Sequence, residues 1–282
     1  MKDYRDSLFR FLFGNEETKE WTLSLYNAIH DTNLTDKNLI NFVDIGDAFF
    51  SKYRNDLSFI CLNDLEMYEH QSTWNPNMPL RFLLYYLMAM EHLYDRNSKI
   101  IYSSTAMKVL TPHFIVLYNG EKPLKSNELK FSGLCASNDS SLEVKVRCID
   151  INHGDGEILQ KCQCLYEYVY VTERMKTIMK KGQDEETLRR LIGNLLKNLP
   201  ESFIIKSRLL KYEKEVTGMI LDPYNEELHL QVVAEEAMEK GKAIGADKVR
   251  KDMVKRLLSL NYSVHEIVKI MGLQSKDISQ IS

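Results

Sequence analysis

DLSFICLNDLEMYEHQ, residues 56–71, is the stretch on which the reading of this chain turns. Its first half, Asp56 to Leu62, carries the apolar and aromatic residues of a strand, and Leu65 to Gln71 reads as a returning strand. Asn63-Asp64 between them suits a two-residue hairpin turn. With the turn there, Leu62 faces Leu65, Ile60 faces Met67, Ser58 faces Glu69 and Asp56 faces Gln71. Directly opposed residues share a face of a sheet. One face is then apolar near the turn and holds Asp56, Ser58, Glu69 and Gln71 at its far end. Carboxylates gathered on rigid strands at an apolar edge are costly unless a cation or a partner compensates them. Mg²⁺ fits that need: it takes oxygen ligands, often only one or two carboxylates, and Mn²⁺ can replace it. The backbone carbonyl of His70, between Glu69 and Gln71, is a further candidate ligand. An exposed strand end has the same composition, so register alone leaves both readings open.

Outward from this hairpin the pattern alternates between helix and strand. Residues 3–13 and 16–29 have helical spacing, with Phe9, Leu12 and Phe13 on one face and Trp21, Leu25 and Ala28 on the next. Asn15 is placed to cap the second helix, with Glu16 and Glu17 in its first turn. Residues 42–50 suit a strand. Within Asn75-Pro76-Asn77-Met78-Pro79 a helix is expected to start, with Asn77 or Met78 at the cap and Pro79 in the first turn, and to run to about Tyr94, with Phe82, Tyr85 and Tyr86 as core. Phe114 to Tyr118 (FIVLY) reads as a buried strand, and Leu142 to Cys148 as a half-buried one. Helices are then expected over 157–180, 184–198, 202–212 and 224–244. Near the end, Ser263-Val264-His265-Glu266 matches a capping box that opens the second helix of a helix-turn-helix. Such a pair presents a helix to DNA or serves as a packing and dimerisation unit.

Composition narrows the class. The 282 residues are 44% hydrophobic and 27% charged, with a net charge of −3. That suffices for one sizeable core with appendages. Acidic residues dominate 31–74, whereas basic ones dominate 174–214 and 239–282. An acidic patch beside basic stretches fits a metal site with polyanion-binding flanks, although solvated helix faces explain the basic stretches as well. The five cysteines are odd in number and lack zinc-finger spacing, so they read as reduced thiols in a cytoplasmic protein. Nothing at the start resembles a signal peptide, and the apolar run Phe82 to Met90 is too short to span a bilayer, so no membrane partner is expected. There is no Walker A string, no G-x-S-x-G and no H-E-x-x-H. His153-Gly154-Asp155-Gly156-Glu157 has the wrong glycine register for a calcium loop and reads as a turn.

The string RNDLSFICLNDLEMYEHQSTWNPNMPLRFLLY, residues 54–85, resembles the PD-(D/E)XK nuclease-family transposases, also called recombination-promoting nucleases. DSLFRFLFGNEETKEW (6–21), TPHFIVLYNG (111–120) and EVTGMILDPYNEE (215–227) are similar to that family too. The resemblance implies an α/β (α+β) fold with a restriction-endonuclease-like core, in the order helix, three strands, helix, strand, and a mainly helical C-terminal region. The implied organisation is a nuclease-like domain at 1–155, a basic helical extension at 156–221 and a helical region at 222–282. It implies Asp56 and Glu69 as Mg²⁺ ligands, with Gln71 in the position that is usually Lys across the wider superfamily. Gln has no charge to activate water but can orient it by hydrogen bonding. Asp6 is a supporting acidic position. Arg81 either contacts phosphate or pairs with a nearby carboxylate. The expected activity is hydrolysis of double-stranded DNA by a metal-dependent endonuclease linked to recombination, mobile-element or phage biology, in a protein that forms homodimers through its C-terminal helices. The rival expectation is a DNA-binding or assembly protein that keeps the fold without cutting.

Overall fold

The computed structural model describes residues 4–43, 55–94, 102–137, 139–152, 156–181 and 184–221, together with Met253 and Leu257. The chain divides into two compact units, Met1–Pro223 and Tyr224–Ser282. The first is an α+β domain. Its helices are α1 (Tyr4–Phe13), α2 (Lys19–His30), α3 (Met78–Leu93), α4 (Glu157–Lys161), α5 (Gln163–Met179), α6 (Glu185–Lys197) and α7 (Lys206–Lys211). Its strands are β1 (Ile40–Phe42), β2 (Leu57–Cys61), β3 (Asp64–Gln71), β4 (Thr111–Tyr118), β5 (Glu128–Lys130) and β6 (Lys145–Asp150). They form a single sheet in the order β1-β2-β3-β4-β6-β5. The sheet is mixed, with β3–β4 and β4–β6 parallel and the other pairs antiparallel.

Both faces of the sheet are covered. On one, α3 lays Met78, Phe82, Tyr85 and Ala89 against Leu65 and Met67 of β3, Phe114 and Val116 of β4, and Val146 and Cys148 of β6. Phe82 stacks on Phe114 with ring centroids 5.2 Å apart. On the other face, Phe59 of β2 meets Tyr26 of α2, and His70 of β3 meets Phe9 of α1 and Tyr168 of α5. Arg147 of β6 points to this second face, where its guanidinium donates to Ile29 O of α2 at 2.9 Å. Strands covered on both faces read as continuous apolar runs. Phe114 to Tyr118 is such a run, and all five residues are buried.

The β2–β3 hairpin turns one residue earlier than Asn63-Asp64 would place it, which moves each cross-strand partner by two residues. Cys61 pairs with Asp64, Ile60 with Leu65, Ser58 with Met67 and Leu57 with Tyr68. The turn residues are therefore Leu62 and Asn63, and Leu62 has a positive φ of 56°. Asp64 is drawn into the strand by tertiary partners: Tyr26 Oη donates to its carboxylate at 3.1 Å, and His113 Nε2 lies 3.6 Å away. Because side chains alternate with a period of two, this displacement leaves every residue on its expected face. Leu62 alone leaves the apolar face and is 55% exposed in the turn.

Asn15 caps the 3₁₀ turn that opens into α2, its side chain accepting from Glu17 N–H at 2.9 Å. Pro79 lies in the first turn of α3, after Asn77. Other boundaries differ from expectation. The helix expected over 157–180 breaks at Cys162, which is extended. The expected 202–212 helix is shortened to α7, and residues 213–221 are again helical. Leu142 lies outside β6 and is 42% exposed, so the half-buried strand starts later than the alternation suggested. The strand expected over 42–50 falls largely outside the described residues, as do the 224–244 helix, the turn at 153–157 apart from its last two residues, and the C-terminal helix-turn-helix apart from Met253 and Leu257.

Candidate metal centre

β3 is the central strand of the hairpin and its neighbours, and Leu65 to Gln71 are all buried. A buried strand reading LEMYEHQ puts Glu69, His70 and Gln71 out of water at one end. Asp56 joins them from a bend just before β2. Asn55 shapes that bend: its Nδ2 donates to Leu57 O at 2.8 Å, and its Oδ1 accepts from Ser58 Oγ at 2.9 Å. Ser58 is thus part of the bend rather than a neighbour of Glu69. Arg10 of α1 clamps the same backbone, donating from Nη2 to Asn55 O at 2.9 Å and from Nε to Asp56 O at 3.2 Å.

The Asp56 carboxylate reaches across to β3, where Oδ2 accepts the His70 N–H at 2.8 Å. Continuing the observed pairing by one residue sets Asp56 opposite Glu69. The expected partner had been Gln71, so the corrected register brings the two carboxylates closer together. Within a strand, one residue's N–H and C=O point to the same side. The His70 carbonyl therefore faces the Asp56 side, past the end of β2, while the Gln71 carbonyl accepts from Asn119 N–H on the β4 side at 2.8 Å.

Glu69 is held from α3. Arg81 Nη2 donates to Glu69 Oε2 at 3.1 Å and to Tyr85 Oη at 2.7 Å. Of the two roles expected for Arg81, carboxylate pairing is the one present. The other oxygen, Glu69 Oε1, is buried and has no hydrogen-bond partner. The orientation that satisfies both ends of the Gln71 amide donates to Thr73 O at 3.2 Å and accepts from Arg81 Nη1 at 3.0 Å. Asp6 stands behind the strand, with Oδ1 3.4 Å from His70 Nδ1. The structure thus gathers Asp56, Glu69, His70, Gln71, Asp6 and Arg81. Arg10 and Tyr85 were missed in the sequence. The i,i+4 spacing of Asp6 and Arg10 on one helix was the available signal for Arg10.

The electrostatics follow from this packing. Burial pushes the Asp56 carboxyl well above the usual range, and the negative charges of Glu69 and Asp6 push it further, against the His70 N–H and Arg10. Glu69 is raised to about 7, again by burial first, with Arg81 opposing. Two buried acids that disfavour each other's charge, one with an orphaned oxygen, fit a cation between them. The donors are oxygens, which suits Mg²⁺ or Mn²⁺ rather than a soft metal.

The basic extension is partly spent on structure. Arg208 Nη1 donates to Glu17 at 2.7 Å and stacks over Phe11, and Lys206 donates to Leu199 O at 2.7 Å. Lys176 and Lys180 both pair with Glu121, Arg189 with Glu185, and Lys197 with Glu213. Among the described residues, no helix is long and apolar enough to cross a membrane. No family model, no curated protein and no solved structure matches the chain.

Proposed function

We propose that the domain is a metal-dependent endonuclease that hydrolyses phosphodiester bonds in double-stranded DNA, with a restriction-endonuclease-like core of the PD-(D/E)XK type. The observation that carries this reading is the Asp56–Glu69 pair: two buried carboxylates on adjoining segments, mutually destabilised in their charged forms, with the His70 carbonyl facing the same side. The order β1, β2, β3, α3, β4 supports it, because the resemblance implies three strands, a helix and a strand after a leading helix; here two helices, α1 and α2, lead.

Asp56, Glu69 and the His70 carbonyl would hold Mg²⁺, or Mn²⁺ in its place. When bound, the ion supplies charge to polarise the scissile phosphate and makes a coordinated water more acidic. Each protein group has a separate task. Arg10 and Asn55 fix the Asp56 backbone, so the carboxylate is aimed before substrate arrives. Arg81 fixes one oxygen of Glu69 and leaves the other available. Gln71, held by Arg81, orients water through its amide and takes no proton at neutral pH. Asp6 steadies His70 from behind the sheet. DNA contact falls to basic side chains of the 174–214 stretch that are not bound up in the ion pairs above, such as Arg190 and Lys214, and such contacts read backbone rather than sequence.

A second reading has its own observation. Arg81 at Glu69, and Arg10 with its Nη2 4.0 Å from Asp56 Oδ1, already supply positive charge to both acids. On that reading the domain binds DNA or assembles with it, without cutting. Supercoiled plasmid incubated with the full chain in Mg²⁺, Mn²⁺ or EDTA separates the two, alongside Asp56→Ala. Metal-dependent nicking that disappears in the variant supports the nuclease. Salt-sensitive binding without cleavage in any metal supports the alternative.

A further inference from the structure

A second polar cluster lies at the opposite end of β3 and on its opposite face. Glu66 is the centre of it. The residue has no solvent exposure, and neither carboxylate oxygen has a hydrogen-bond partner. His30 Nε2, at the C-terminus of α2, lies 3.0 Å from Glu66 Oε1. Asp64, two positions along the same face of β3, and His113 of β4 place ligand atoms within 4.8 Å of one another and of Glu66. His113 Nε2 is 3.6 Å from Asp64 Oδ1. The rings of His30 and His113 meet edge to face, with centroids 5.0 Å apart. Tyr26 Oη donates to the other Asp64 oxygen, Oδ2, which orients the carboxylate and leaves Oδ1 facing His113.

Two imidazoles and two carboxylates on three different elements are an unusual set to bury for packing alone. Burying a carboxylate with only the His30 imidazole and the Tyr68 hydroxyl beside it is costly, and a cation is the usual compensation. In tetrahedral sites with bonds of about 2.0–2.2 Å, neighbouring ligand atoms are roughly 3.3 Å apart. The 3.6 Å between His113 and Asp64 lies close to that value, and the ligand atoms of Asp64, Glu66 and His113 all lie within 4.8 Å of one another. Imidazole with carboxylate suits zinc and its neighbours, whereas Mg²⁺ prefers oxygen alone. His30 also ends a helix, where the unsatisfied carbonyls favour positive charge. Access exists as well: the side chains of His113 and Asp64 are 35% and 27% exposed, so an ion can enter from solvent.

We propose that Glu66, Asp64 and His113 form a zinc-class divalent metal site, separate from the Asp56–Glu69 centre, with His30 held beside Glu66. Tyr26 is its orienting partner behind Asp64. The bound ion clasps β3 to β4 at the hairpin end of the sheet, next to the end of α2. Glu66 and Glu69 are about 10 Å apart along the strand and point to opposite faces, so one ion cannot serve both.

The test uses the full chain stripped with EDTA and titrated with Zn²⁺ in excess Mg²⁺, followed by calorimetry and by metal analysis after dialysis. Co²⁺ is titrated in parallel, because its visible spectrum reports a tetrahedral nitrogen–oxygen environment. A single Zn²⁺ per chain is expected, unchanged in Asp56→Asn and weakened by about 100-fold or more in His113→Ala. Glu66→Gln should abolish binding. Should that variant fail to fold, His113→Ala, altered at a partly exposed position, still decides the matter. Absence of Zn²⁺ binding, or equal affinity in His113→Ala, overturns the proposal. So does binding that survives in His113→Ala and vanishes in Cys162→Ser, because the thiols would then be the ligands. Absence of plasmid cleavage by the unaltered chain in Mg²⁺ and in Mn²⁺, with Zn²⁺ binding intact, refutes the nuclease reading alone.

Discussion

Glu69→Gln should stabilise the metal-free protein, and by an amount that grows with pH. Glu69 ionises at about 7 in the folded chain against an ordinary 4.5. Below the ordinary value the group is protonated in both the folded and the unfolded states, and its contribution to stability is full. Between the two values the unfolded chain ionises first, so stability drains away as pH rises. Above the folded value the loss is complete. At about 1.4 kcal/mol per pH unit, that interval is worth about 3 kcal/mol. The side chain is buried, so solvent screening does not reduce this figure. Gln keeps the shape of the neutral acid and does not titrate. The variant should therefore gain about 1 kcal/mol over the parent near pH 5 and about 3 kcal/mol near pH 8. The assay is urea unfolding in EDTA at both pH values, read as the difference of the two differences. Any constant effect of the amide on packing cancels in that comparison, and the pull of Arg81 is already contained in the value of about 7. With Mg²⁺ at about 100 times its dissociation constant, the parent should recover about 2.7 kcal/mol that the variant does not. A Glu69→Gln advantage independent of pH would falsify the claim that burial strains this carboxylate.

Asp56→Asn should reduce Mg²⁺-dependent plasmid cleavage on the order of 1,000-fold, equivalent to about 4 kcal/mol of barrier, while filter binding of DNA is retained. Removing the opposing charge with Arg81→Gln should raise Glu69 above about 7, so the acid limb of the cleavage pH profile moves to higher pH; an unmoved limb would separate Arg81 from the ionisation of Glu69. Leu62 is exposed and holds a left-handed turn conformation. Leu62→Gly should accordingly raise stability by about 1 kcal/mol in thermal or urea unfolding, and a loss would place the turn elsewhere. Phe82 is fully buried between α3 and the sheet, so Phe82→Ala should cost about 3–5 kcal/mol, checked by the same unfolding assay.

Much of the architecture is legible in local pattern. Periodicity marks α1, α2 and α3, and the Asn77–Pro79 start signal places α3 to within a residue. The apolar run Phe114 to Tyr118 declares a strand covered on both faces. The parity of DLSFICLNDLEMYEHQ assigns each residue to a face, and parity survives a two-residue slip, so Asp56, Glu69 and Gln71 were identified as neighbours despite an incorrect turn. Three things lie beyond local pattern. The register is one: Asn63-Asp64 is the better turn by propensity, yet Tyr26 and His113 hold Asp64 in the strand, and those partners come from distant elements. The clamps of the site are another, since Arg10 and Tyr85 act on Asp56 and Glu69 only after α1 and α3 have packed on the sheet. The cluster around Glu66 is the third, because His30, Glu66 and His113 share no sequence motif and converge through the parallel pairing of β3 with β4 and the docking of α2. Sequence by itself determined the elements and their faces, which are properties of neighbouring residues. Only tertiary structure decided which distant charges meet and how deeply they are buried, because both depend on elements far apart in the chain packing together.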